Sequence, residues 1–140
     1  MSEHPAPPMD LDSAPWWEAL GRHELLLQRC EDCQRLRWPA RSFCNDCGSG
    51  TWDWIPASGR GTVESWTATY PAGPGVDVPF CVALVRLDDQ DDIRIPGYVD
   101  GPGDGSGLEI GLPVRAGFDD VTATGGAPLT LLRWRPTGHT

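Results

Sequence analysis

Two C-x2-C units ten residues apart, Cys30/Cys33 and Cys44/Cys47, constrain this chain more than any other feature. Each unit turns two thiolates toward one point. Two such knuckles facing each other supply the four soft ligands of a closed tetrahedral zinc site. A closed site has no open coordination position, so it organises structure and leaves no place for a substrate. A cage of four cysteines also accepts iron, and spacing alone does not separate the two metals.

The remaining composition narrows what surrounds this staple. A chain of 140 residues holds one ordinary domain, or a small metal-stapled module joined to a compact second one. All 11 basic residues are Arg, so Lys-dependent Schiff-base or amine chemistry is excluded. The net charge of −9 argues against nonspecific binding to a phosphate backbone, which relies on clustered positive charge. Residues 22–41 carry five arginines against three acids, whereas residues 61–140 carry five against eleven, which places any anion site on the cysteine half. No apolar stretch approaches the roughly 20 residues of a membrane span, and the N-terminus has no basic-then-apolar leader, so the chain reads as cytoplasmic. Reducing cytosol suits four metal thiolates, and Cys81, within the apolar PFCVALVRL, reads as a buried structural thiol.

Along the chain, residues 1–12 are Pro-rich and acidic and read as a disordered tail or linker. Residues 13–28 form a helical segment, with Ser13 as cap, Pro15 in the first turn, Trp16, Trp17 and Leu20 at helical spacing, and Gly21 ending its first stretch. The apolar triplet at 25–27 leads into Cys30 as helix or strand, and pattern alone leaves both open. The zinc ribbon occupies 29–57, with Trp52 and Trp54 on one face of a strand. Residues 58–136 hold five runs of β character, at 62–70, 80–87, 92–99, 113–118 and 129–134, the number expected of a small Greek-key barrel of the OB type. Residues 137–140 are a tail. The fold class is thus mostly β, with an N-terminal helix, a zinc ribbon and a C-terminal five-stranded barrel.

Catalytic groups do not assemble in the sequence. His4 and His139 fall in the tails and His23 beside a helix end, and neither a serine nor a cysteine has an evident base. GPGDGSG at 101–107 reads as a flexible loop, and Asp88, Asp89, Asp91 and Asp92 as a solvated hairpin. Adjacent Trp16 and Trp17 cannot both face one narrow core, so with Trp52 and Trp54 they are candidate anchors for a partner, the alternative being that one of the pair packs under the ribbon and the other is half exposed. Arg35, Arg37 and Arg41, between the knuckles, are candidates for gripping phosphates with planar, multi-donor guanidinium groups, the alternative being a solvated, salt-bridged face.

The order of these elements resembles a family of small prokaryotic proteins that join a rubredoxin-like zinc ribbon to an OB-fold and accompany thiolase-superfamily enzymes of acyl-CoA metabolism. The matching segments are WWEAL at 16–20, HELLLQRC at 23–30, the four cysteines, WPAR at 38–41, GRGTVESWT at 59–67, PFCVALV at 79–85 and IGLPV at 110–114. The resemblance implies a noncatalytic accessory subunit, in a hetero-oligomer with a thiolase-like protein, that helps shape an acyl-CoA channel. In actinobacterial steroid breakdown a similar domain pairs with a thiolase-like aldolase that cleaves a side-chain acyl-CoA, a lyase setting within lipid metabolism. Two other readings stay open. One is a single-stranded nucleic-acid-binding OB module, disfavoured by the acidic barrel half. The other is a stand-alone acyl-CoA carrier using the arginines between the knuckles.

Overall fold

The computed structural model describes residues 13–69, 79–123 and 125–137; the expected tail at 1–12 and all but Thr137 of the expected tail at 137–140, with His4 and His139, lie outside them. Helix α1 spans Ala14–Gly21, with Pro15 in its first turn. Ser13 sits at its N-cap in a helical rather than extended conformation, so its hydroxyl makes no cap bond. Its carbonyl instead accepts from the Trp16 and Trp17 amides. The left-handed turn that ends the helix falls on His23 (φ 61°), not on Gly21. The amides of Arg22 and Glu24 return to the Ala19 carbonyl and that of His23 to Leu20.

The helical segment expected over 13–28 therefore stops at Gly21, and Leu26–Cys30 is strand β1. The reason is pairing on both sides. β1 is the centre of an antiparallel sheet in the order β2-β1-β3, with β2 at Leu36–Arg37 and β3 at Trp52–Pro56. In its register Gln28 lies between Arg37 and Trp54, and Cys30 opposite Trp52. Leu27 is fully buried, as are Ala19 and Leu20 of α1.

The five remaining strands are β4 (Arg60–Thr69), β5 (Phe80–Leu87), β6 (Arg94–Val99), β7 (Pro113–Thr122) and β8 (Pro128–Pro136). They close as a barrel in the order β4-β5-β6-β8-β7. The β4–β5, β4–β7 and β5–β6 pairs are antiparallel, whereas β6 and β8 run parallel through Tyr98–Arg133 and Val99–Trp134. That order and the parallel β6–β8 contact are the OB arrangement the strand count suggested. Alternation along β5 puts Cys81, Ala83, Val85 and Leu87 inside with Val63, Ile95, Val114 and Trp134. Cys81 is buried as expected, its thiol donating to the Gly103 carbonyl at 3.2 Å, and burial raises its pKa.

By backbone proximity the chain forms two compact units, one of residues 1–58 with 118–131 and the other of 59–117 with 132–140. The first thus combines the helix and ribbon with the tip of the β7–β8 hairpin.

Within the second unit, Gly97 faces the fully buried Trp134. A Cβ at Gly97 would stand 2.8 Å from the indole ring, closer than real contacts allow. Gly97→Ala is expected to lower unfolding free energy by about 1–3 kcal/mol through displacement of that ring, read by chemical denaturation. An unchanged midpoint would contradict this packing.

Candidate metal centre and the surfaces around it

The four cysteines belong to two knuckles of the same construction. In the first, the Cys30 amide donates to the Arg35 carbonyl and the Gln34 amide to that of Cys30; in the second, Cys44 donates to Ser49 and Gly48 to Cys44. The residue after each second cysteine takes a left-handed conformation, Gln34 at φ 69° and Gly48 at φ 79°. Glycine takes this conformation without cost. Gln34 does so with its side-chain amide tied to the Glu31 carbonyl at 3.0 Å.

This geometry brings all four Sγ atoms within 4.8 Å of one another, with Cys30–Cys47 and Cys33–Cys44 at 3.6 Å. Bonds of about 2.3 Å to one tetrahedral ion put sulfurs about 3.8 Å apart, so the donor set fits a closed metal site. The electrostatics are graded within each knuckle. Backbone N–H groups of Cys33 and Asp32 point at Cys30 and lower its thiol to about 6. Those of Cys47 and Asp46 lower Cys44, the Asp46 amide lying 3.4 Å from its sulfur. At Cys47 the Ser49 amide pulls downward but is outweighed by the sulfurs and by burial, and the thiol is pushed up to about 12. The first cysteine of each pair is therefore the readier thiolate, and a cation at the centre would draw the proton from the second.

The other expected site residues divide. Trp16 is only 8% exposed and packs edge-on against Trp17 (ring centroids 4.8 Å) and near Trp38 (5.7 Å). It is a core residue and not an accessible anchor, because α1 turns its Trp16–Ala19–Leu20 face inward. Trp17, Trp52 and Trp54 are half-buried.

Of the arginines, Arg35 pairs with Asp46 at 2.7 Å. Arg37 lies over the Trp52 ring at 5.3 Å, donates from Nε to the Gln28 side-chain carbonyl at 2.7 Å and from Nη2 to the Arg41 carbonyl at 2.9 Å. It is thus committed inside the ribbon, which removes it as a phosphate ligand. Gln28 is fully buried, and its Oε1 also accepts from the Arg41 amide at 2.8 Å. The Arg41 side chain is exposed.

A cluster with no counterpart among the sequence expectations lies in the same unit. His23 Nε2 meets both Asp120 oxygens at 3.0 and 3.1 Å, Thr130 donates to Asp120 Oδ1 at 2.7 Å, and the imidazole stacks on Phe118 at 5.2 Å. The Thr130 hydroxyl first, and His23 second, hold the Asp120 carboxyl below the ordinary range. Ninety-seven residues separate His23 from Asp120, so no local pattern signals the pairing.

Arg37→Ala, which strips the buried Gln28 carbonyl of one donor, is expected to cost about 1–3 kcal/mol of stability, while Arg41→Ala keeps its backbone bonds and melts like the parent. Equal melting of the two variants would contradict the internal role of Arg37. Because the folded pKa of Asp120 is depressed, its stabilisation is present above the ordinary carboxylate value and lost as pH falls through the folded one. The melting difference between parent and Asp120→Asn should accordingly shrink between about pH 5 and pH 3; a difference that grows toward acid would refute the assignment.

Comparison with known proteins agrees with this geometry. Residues 17–53 match the ChsH2 rubredoxin-like zinc ribbon domain, and residues 54–119 the ChsH2 C-terminal OB-fold domain. In solved structures, the chain superposes on a subunit of an Ltp2-ChsH2(DUF35) aldolase with a TM-score of 0.81 and 34% identity, covering 94% of this chain and 98% of that one. It is 36% identical over 131 residues to the 3-oxo-4,17-pregnadiene-20-carboxyl-CoA hydratase alpha subunit of Mycobacterium tuberculosis, covering 93% of this chain but only 39% of that subunit's length. A DUF35 domain-containing scaffold protein of Methanocaldococcus jannaschii is 27% identical over 115 residues, 79% of this chain and 78% of its own. With both of its domains matched in order, the chain belongs to the ChsH2 family of rubredoxin-like zinc ribbon and OB-fold proteins.

Proposed function

We propose that this chain is a noncatalytic accessory subunit of an acyl-CoA enzyme, docking on a thiolase-superfamily partner and helping to shape its acyl-CoA channel. The observation that carries this reading is the match along nearly the whole length of the ChsH2 subunit of an aldolase complex. A steroid side-chain acyl-CoA is the substrate class we assign to the assembly, with retro-aldol cleavage as the partner's reaction; the hydratase subunit named for a pregnadiene carboxyl-CoA supports the substrate class. The name of the archaeal scaffold protein supports the noncatalytic role.

Zinc is the proposed ion at Cys30, Cys33, Cys44 and Cys47, held as a structural staple, since four thiolates at this spacing leave no open position. Four unpaired thiols suit the reducing cytosol, where we place the assembly. Among the described residues no helix is long and apolar enough to cross a membrane. Trp17, Trp52 and Trp54 remain the tryptophans offered to the partner, and Arg41 the inter-knuckle arginine offered to a CoA phosphate.

Charge pairing on the barrel weighs against the nucleic-acid reading. Glu64 pairs with Arg86 and Arg94, and Asp100 with Arg133 and Arg135, so each of these four cations is tied to a carboxylate of the barrel itself.

Co-expression with the thiolase-like protein encoded nearest to this chain, followed by size exclusion, is expected to give one co-eluting species that cleaves acyl-CoA. Two separately eluting, folded proteins would overturn the accessory-subunit reading. Metal analysis of the purified chain should find one zinc per chain; iron with its thiolate absorption and no zinc would overturn the metal assignment.

A further inference from the structure

Beside α1 lies a cleft of ≈ 380 Å³ whose walls are Trp17 on one side and Val121, Pro128 and Leu129 of the β7–β8 hairpin on the other, with Asp120 and Thr130 as its polar groups. All of these residues belong to one compact unit. We propose that this cleft is the recess in which the partner subunit seats an arginine side chain, the guanidinium stacking on Trp17 and pairing with Asp120. The inference rests on the accessory-subunit reading and adds to it the chemistry of one contact.

Asp120 is prepared for such a contact. Thr130 Oγ1 and His23 Nε2 orient it and keep it ionised, yet its side chain is still 66% exposed. A carboxylate has about four lone-pair directions, so two donors leave acceptor capacity facing out. An indole and a carboxylate bordering one apolar recess are complementary to a planar, weakly hydrated cation, and a guanidinium satisfies both where a compact ammonium would stay hydrated. Charge complementarity points the same way. The chain carries −9 overall, so a basic partner face is drawn to it and a contact at Asp120 fixes register. Gly21 adds no bulk at the recess, and a Cβ there would meet nothing within 4 Å.

The test uses the full chain and the co-expressed thiolase-like partner, with affinity measured at two salt concentrations. Asp120→Asn is expected to weaken the complex by about tenfold or more and to flatten its salt dependence. Trp17→Leu, which keeps an apolar side chain and the net charge but removes the ring, is expected to weaken it by about threefold or more. Glu109→Gln, the same charge change on an exposed loop residue, serves as control and should bind within about twofold of the parent. Melting curves exclude unfolding as the cause, and Trp17→Leu carries the test should Asp120→Asn fold poorly. A complex that forms equally well with both variants overturns this inference and leaves the accessory-subunit reading intact. Failure of the parent chain itself to bind overturns both.

Discussion

The helix-and-ribbon unit depends on the convergence of four sulfurs from two knuckles of identical hydrogen-bonding pattern. A sheet with strands of five, two and five residues buries too little apolar surface to persist by itself. A cation shared by Cys30, Cys33, Cys44 and Cys47 ties both ends of the 30–47 loop to one point, so metal binding becomes folding free energy. The knuckle amides favour that centre in advance, since they lower the Cys30 and Cys44 thiols.

A second, polar hub completes what the staple begins. Gln28 is buried at the middle of the ribbon sheet, and its side-chain carbonyl takes donors from Arg37 and from the Arg41 backbone. Arg37 in turn covers Trp52 and reaches the Arg41 carbonyl. The segment between the knuckles is thereby folded over the sheet by side chains that composition alone would assign to the surface. The ribbon's charge is spent on its own architecture at Arg29–Asp53, Arg35–Asp46 and Arg37–Gln28.

What was readable in the sequence followed the range of each signal. The C-x2-C spacing is local and chemically narrow, so the cluster was legible before any coordinates. The alternation of TVESWTATY, the nearly continuous apolar run FCVALVRL and three further runs bounded by turn residues located the barrel strands, because strands that face a core carry such patterns. Gly21 marked the end of the helix, although His23 takes the left-handed turn beyond it, whereas the apolar run at 25–27 fits helix or strand until β2 and β3 pair with it. Neighbouring Trp16 and Trp17 read alike in sequence, and only the orientation of α1 separates core from surface. The His23–Asp120–Thr130 cluster and the internal role of Arg37 were invisible, because each joins residues distant along the chain through side-chain geometry that no spacing rule records.

Taken with the family match, these features describe a chain whose ordered surfaces serve another protein. On the proposed reading, the metal-stapled ribbon presents a docking unit to a thiolase-like enzyme. Native mass spectrometry of the co-purified assembly, before and after exposure to a strong chelator, tests it most directly. The account predicts a hetero-oligomer carrying one zinc per copy of this chain, which dissociates as the zinc is lost. An assembly of the same mass with no metal, or this chain detected only by itself, would contradict it.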